Sequence, residues 1–166
     1  MARAALRHLK LEKVLWVPTG APGYRNAPVA SAPDRLAMLK LALQADASFG
    51  LDERELAPTA TGYTVDTLKA LRVERPEDEL YLLLGADQLA AFDRWREPAE
   101  VARLARLAVF SRPGFAPAKG QAIEVPMKPM AISASDIRAC ASRGERLDAL
   151  VPPAVANYIA AQRLYR

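Results

Sequence analysis

A chain of 166 residues is about one domain long, enough for a single buried core. With 51% apolar and 25% charged residues it has the balance of a globular protein, and no apolar run approaches the ~20 residues that cross a bilayer. Its 23 basic and 19 acidic residues leave a net charge of +4, too dispersed for a nucleic-acid face but suited to phosphate-bearing small molecules.

Residues 2–10 read as a helix, with Leu6 and Leu9 on one side and Arg3, Arg7 and Lys10 on the other. This basic start has no small-residue cleavage site, so it is a poor secretory signal. A transit peptide is the alternative, disfavoured because the segment runs straight into core-like sequence. Val14 to Val17 is a short apolar strand closed by Pro18-Thr19-Gly20, and 21–33 is a Pro/Gly-rich loop. Ser31-Ala32-Pro33-Asp34 has the form of a helix N-terminal box, and the following helix carries Leu36, Leu39 and Leu43 on one face. Phe49 to Leu56 is a charged strand candidate, and Thr64 to Arg72 a helix with Asp66 in its first turn. Glu79 to Leu84 is the clearest buried strand and runs into Gly85-Ala86-Asp87. Beyond it come a helix over 98–104, a strand over 107–110 closed by Arg112-Pro113-Gly114, a short strand over 123–126, and helices starting near Ser135 and after Pro152-Pro153.

Strands alternating with helices predict an α/β fold, a Rossmann-like doubly wound and mainly parallel sheet in one domain over 1–166. The chain opens on a helix feeding a buried strand, with no strand before it. In such sheets the first strand lies in the middle of the order, so the expectation is a sheet missing its first central strand.

In open α/β sheets ligands bind beyond the carboxyl ends of the strands. Ile132 to Arg138 is the strongest such segment. A helix starting near Ser135 aims free N–H groups at an anion, with Ser133 and Ser135 as hydroxyl donors and Arg138 as a forked cation. The same serines could equally be helix caps and Arg138 a solvated charge. Gly85 allows close backbone approach and Asp87 could accept from ribose hydroxyls, or could simply cap a helix. Tyr63 offers a stacking face and Thr64 a hydroxyl at a helix start, or both are packing and capping residues. The loop holding Tyr24 and Arg25 supplies a cation, and Trp95 and Arg112 are placed at the same edge; Trp95 also fits a core position. The lone Cys140 excludes an internal disulfide, fits a reducing cytoplasm, and reads as a small buried or half-buried helix residue. The only histidine, His8, is remote from it along the chain, and no paired spacing for a metal exists.

Taken together, Val14 to Gly20, Asp34 to Leu39, Gly62-Tyr63-Thr64-Val65-Asp66-Thr67-Leu68, Leu84 to Leu89 reaching Trp95, Ser111-Arg112-Pro113-Gly114, Ile132 to Arg138 and the close from Leu150 to Tyr165 resemble the nicotinate mononucleotide adenylyltransferase family. That family is a branch of the nucleotidyltransferase α/β fold, and the likeness spans nearly the whole chain. The resemblance implies transfer of AMP from Mg²⁺-ATP to nicotinate mononucleotide, giving nicotinate adenine dinucleotide and pyrophosphate with no covalent enzyme intermediate. It also implies that Ser133, Ser135 and Arg138 hold the ATP phosphates and Gly85 and Asp87 the adenosine. Tyr63, Thr64 and Trp95 then form the pyridine pocket, the Trp95 backbone reading the carboxylate, with Arg25 and Arg112 as further substrate contacts. Neither nucleic acid nor membrane is an expected partner.

The sequence departs from the family's pattern twice. The glycine-rich turn and His-x-Gly-His that stabilise the transition state are not present, and His8 does not replace them, so no catalytic residue is assigned. Ala21 to Arg25 stands where relatives show Pro-Pro-His-Lys, and Arg25 supplies the charge in a different shape. Two other readings stay open: a catalytically impaired nucleotide-binding remnant, and a relative that prefers nicotinamide mononucleotide.

Overall fold

The computed structural model describes residues 1–20, 29–110, 122–127 and 132–166. In chain order its elements are α1 (Ala2–His8), β1 (Val14–Trp16), α2 (Ala32–Leu43), β2 (Phe49–Leu51), α3 (Thr64–Glu74), β3 (Tyr81–Gly85), α4 (Ala86–Ala90), α5 (Pro98–Leu104), β4 (Arg106–Phe110), β5 (Ile123–Val125), α6 (Ala134–Ser142) and α7 (Pro153–Ala161). Single 3-10 turns cover Arg54–Leu56 and Phe92–Arg94. The chain forms two compact units, Met1–Val14 with Thr61–Pro129, and Leu15–Ala60 with Met130–Arg166.

In the first unit β3, β4 and β5 form a parallel sheet in that order. Tyr81 pairs with Arg106 and Gly85 with Phe110; Ala108 pairs with Ile123 and Phe110 with Val125. Strand residues alternate between faces, and here both faces are buried. Leu82 and Leu84 of β3 and Leu107 and Val109 of β4 join Val65 and Leu68 of α3 and Val101 and Leu104 of α5. On the other face Tyr81, Leu83, Ala108, Phe110 and Val125 meet Ala5 of α1, which is fully buried. Apolar residues at four consecutive positions of β4, Leu107 to Phe110, rather than at every second one, are what two-sided burial demands. The guanidinium of Arg72 donates to the carbonyls of Asp78 (2.7 Å) and Leu104 (2.8 Å), tying the end of α3 to the turns on either side.

The second unit packs α2, α6 and α7 around Ala141, Leu147, Val155, Ala156 and Ile159. From α2 it is Met38 and Leu41 that reach this cluster. Leu36, Leu39 and Leu43, which share one face by spacing, are half-buried, as are Met38 and Leu41, and α2 has no fully buried residue. The N-terminal box forms as the sequence suggests: the Ser31 hydroxyl accepts from the Asp34 amide at 3.2 Å, with Pro33 in the first turn. The Tyr158 hydroxyl of α7 donates to the Asp34 carboxylate at 3.0 Å, joining two helices 124 residues apart in sequence. β1 and β2 form a separate two-stranded sheet, across which the Trp16 and Phe49 rings meet edge-on at 6.2 Å.

The strand expected over 49–56 stops at Leu51. The Asp52 carboxylate accepts from the Arg54 amide at 3.1 Å and from its Nε at 2.7 Å, and this local turn carries the chain into 3-10 geometry. The α/β class with a parallel sheet holds. Its strands, expected in one sheet, are divided between a two-stranded and a three-stranded one.

Burial, followed by the bond to Asp34, pushes the Tyr158 phenol above its ordinary value of 10. The neutral phenol is therefore the form that stabilises the fold. That contribution is complete below pH 10 and is lost as pH rises through the higher folded value. Tyr158→Phe should lower the melting temperature near neutral pH, and the gap to the parent should narrow above pH 10 in thermal melts. A gap independent of pH would mean that the hydroxyl contributes nothing through its proton.

Candidate functional site

The parallel register ends β3 and β4 together, and Gly85 at the end of β3 opens directly into α4 as its N-cap. A Cβ on Gly85 would lie 2.6 Å from the Asp87 Oδ1, so glycine leaves this carboxylate its present place. Asp87 is exposed in the first turn of α4, and one of its oxygens accepts from the Gln88 side chain at 3.3 Å.

Tyr63 is the N-cap of α3 and Thr64 its first residue. The turn before them is held by Thr61, whose Oγ1 accepts from the Tyr63 amide at 3.2 Å, while Gly62 adopts a left-handed φ of 71°. Tyr63 and Trp95 both pack against the cluster that contains Leu84, with Trp95 stacked at a tilt on Phe92 at 5.5 Å. One sheet edge thus carries the Gly85–Asp87 turn and two half-buried aromatic rings.

A cation overlooked in the sequence reading joins them. The Arg96 guanidinium lies 4.7 Å from the Tyr63 ring centroid. Its neighbour Glu97 takes a left-handed φ of 50° to start α5 and accepts from Lys69 of α3 at 2.8 Å. Adjacency of Arg96 to Trp95 was the only signal in the sequence.

Ser133, Ser135 and Arg138 stand together at the start of α6 in the second unit. The Ser133 hydroxyl accepts from the Asp136 amide at 3.1 Å, and the Asp136 carboxylate accepts from the Ser133 amide at 3.2 Å. This closed capping box uses the Ser133 side chain internally. Ser135 and Arg138 remain exposed and half-buried respectively, linked by one hydrogen bond from Nη2 to Oγ at 3.1 Å.

A second cation missed in the sequence, Arg35, donates to the carbonyls of Thr19 (2.7 Å) and Gly20 (3.0 Å) and so fixes the turn that follows β1. Gly20 fits there because its amide bonds the Glu55 carbonyl at 2.9 Å, a carbonyl only 3.0 Å from where a Cβ would sit.

Arg25 and Arg112 lie outside the described residues, as does Tyr24. Cys140 is half-buried in α6, where the Glu145 carboxylate, followed by burial, pushes its thiol up. Among the described residues no group of three or more His, Cys, Asp or Glu could hold a metal ion. No described helix is long and apolar enough to cross a membrane.

Parallel strands, with β3 ending at a glycine that opens directly into a helix, fit an α/β protein of the nucleotidyltransferase type. Residues 1–140 match the family described as Cytidylyltransferase-like. Similarity runs end to end with the "Probable nicotinate-nucleotide adenylyltransferase" of Chromobacterium violaceum, at 40% identity over 100% of this chain and 90% of the relative. The protein of the same name from Laribacter hongkongensis is 40% identical over 100% of this chain and 86% of its own length. The chain belongs to the nicotinate-nucleotide adenylyltransferase family. Among solved structures the fold is similar to the Plasmodium falciparum nicotinic acid mononucleotide adenylyltransferase complexed with NaAD, with TM-score 0.79 and 15% identity over 98% of this chain and 87% of that one.

The capping box gives a direct expectation for α6. Ser133→Ala should cost about 1 kcal/mol of stability in denaturant unfolding without any ligand, whereas Ser135→Ala should be near neutral. Equal losses for the two would place Ser135 in the cap as well.

Proposed function

We propose that this protein transfers the adenylyl group of ATP to nicotinate mononucleotide, giving nicotinate adenine dinucleotide and pyrophosphate. The observation that carries the reading is the 40% identity, over the entire chain, to nicotinate-nucleotide adenylyltransferases. In the reaction a mononucleotide phosphate oxygen forms a new bond to the α-phosphorus of ATP. The bond from that phosphorus to the α–β bridging oxygen breaks, and pyrophosphate leaves with the electron pair. No side chain forms a covalent intermediate, so the residues act by positioning and by stabilising charge.

Ser135 and Arg138 offer the triphosphate a hydroxyl and a forked cation beside the dipole end of α6. Ser133 acts with them through its place in the turn, because its hydroxyl is used by Asp136. Gly85 lets the adenosine approach the end of β3, and Asp87 is free to accept from its ribose. Tyr63, Thr64 and Trp95 form the pyridine pocket, and Arg25 and Arg112 are further contacts to the mononucleotide. The Arg96 charge beside Tyr63 favours the acid over the amide form of the pyridine. Mg²⁺ supplies charge neutralisation when bound with ATP. It would be carried in on the ATP phosphates, and no described side chain is assigned to it.

The test is pyrophosphate release with ATP and Mg²⁺, comparing nicotinate with nicotinamide mononucleotide. Turnover favouring the acid is expected. Equal rates would overturn the assigned preference, and no turnover with either would overturn the reaction. Gly85→Ala, which drives the Asp87 carboxylate aside, should raise the KM for ATP roughly tenfold while leaving that for the mononucleotide nearly unchanged. Arg138→Ala should likewise weaken ATP more than the mononucleotide.

A further inference from the structure

A planar cation already lies on the aromatic surface assigned to the pyridine. The Arg96 guanidinium is 4.7 Å from the Tyr63 ring centroid, and Arg96 is exposed while Tyr63 is half-buried. Tyr63 packs against the cluster that holds Leu84 and Val101, so Arg96 overlies the ring from its solvent side. An aromatic face attracts cations through its quadrupole, and at exposed sites the contact is weak enough to exchange.

Little else holds Arg96 there. Its Nε is 3.7 Å from Oε1 of Glu97, an ion pair too long for a hydrogen bond. The other Glu97 oxygen accepts from Lys69 of α3 at 2.8 Å, and that bond raises the Lys69 ammonium above its ordinary value. Glu97 reaches Lys69 from a left-handed φ of 50°, where glycine or asparagine is easier to place. One carboxylate thus serves two cations, and serves Lys69 first. The Trp95 amide is committed as well, to the Phe92 carbonyl at 2.9 Å. Among the described residues the Arg96 guanidinium makes no hydrogen bond, so it can leave the ring without breaking one.

Both mononucleotides bring a cation to the same place. In each the pyridine nitrogen is bonded to ribose, so the ring carries a positive charge. The nicotinate form adds a carboxylate that neutralises it, whereas the nicotinamide form adds an uncharged amide. A pyridinium on the Tyr63 face replaces one cation–π contact by another, close to break-even. The balance is then set by the guanidinium that gives way. Beside the acid it gains a carboxylate and a forked, charge-assisted hydrogen bond. Beside the amide it gains no anion and meets a second positive charge, with Glu97 engaged by Lys69.

We propose that Arg96 is a specificity-determining plug: its guanidinium holds the pyridinium's place on Tyr63 in the free protein, and only a ring bearing a carboxylate displaces it without loss. The inference rests on the pyridine pocket assigned above and adds to it a mechanism of exclusion. Discrimination against the amide then comes from a contact made within the free protein, beside the attraction of the acid.

The experiment titrates nicotinate mononucleotide and nicotinamide mononucleotide separately into the full chain by calorimetry, and repeats both with Arg96→Ala, Arg96→Gln and Arg96→Lys. Alanine clears the ring face, glutamine keeps a planar side chain without charge, and lysine keeps the charge. In the alanine and glutamine forms the amide should bind about threefold tighter than in the parent, and the acid about fivefold weaker. Lysine should stay close to the parent for both. Opposite shifts for the two ligands are the signature, because a merely structural role would weaken both together. Amide affinity unchanged or lowered in the alanine and glutamine forms would overturn the proposal, whatever happens to the acid. Normal turnover of the acid with no gain for the amide would leave the reaction standing and overturn the plug. Opposite shifts in a protein that releases no pyrophosphate would fault the assigned reaction and leave the plug standing. A parent that binds neither mononucleotide would overturn both.

Discussion

Burial of β4 on both faces is the constraint on which the first unit depends. Ala108, Val109 and Phe110 are all within 2% of complete burial, so the last three positions of this strand present no polar side chain. Pairing with β3 on one side and β5 on the other satisfies its backbone, and parallel pairing brings the strand ends to one edge. Chemistry can then appear only past those ends. Gly85 meets that requirement by turning straight from strand to helix, without an intervening loop.

Much of this was legible in the sequence, because burial on two faces writes an uninterrupted apolar run. Tyr81 to Leu84 and Leu107 to Phe110 stand out for that reason. Helix starts were legible where caps act through neighbours in sequence, as at Ser31 with Asp34 and Ser133 with Asp136. The end of β2 was not, since a single aspartate's turn at Asp52 overrides a segment of otherwise extended character. Which face of α2 packs was also hidden. Leucine spacing marked Leu36, Leu39 and Leu43, while contact with α6 and α7 selects Met38 and Leu41.

The candidate site divides along the same line. Residues at strand ends and helix caps could be marked from local pattern, which is why Tyr63, Gly85, Asp87, Ser135 and Arg138 were singled out. Arg96 and Arg35 could not be marked this way. One acts through a ring 33 residues earlier in the chain, and the other through two carbonyls 15 and 16 residues away. A long cationic side chain whose partner lies far along the chain gains it only when the fold is complete, and spacing alone does not mark it.

The capping box of α6 has a consequence for how tightly anything can be held there. Ser133 and Asp136 satisfy one another, so the first turn of the helix is ordered by the polypeptide itself. An arriving anion meets amides whose orientation was fixed at folding, and none of its attraction is consumed in immobilising backbone. Affinity at such a turn tracks the ligand's own charge and shape, and its variation from one anion to another becomes a measure of the ligand, with the helix acting as a fixed reference.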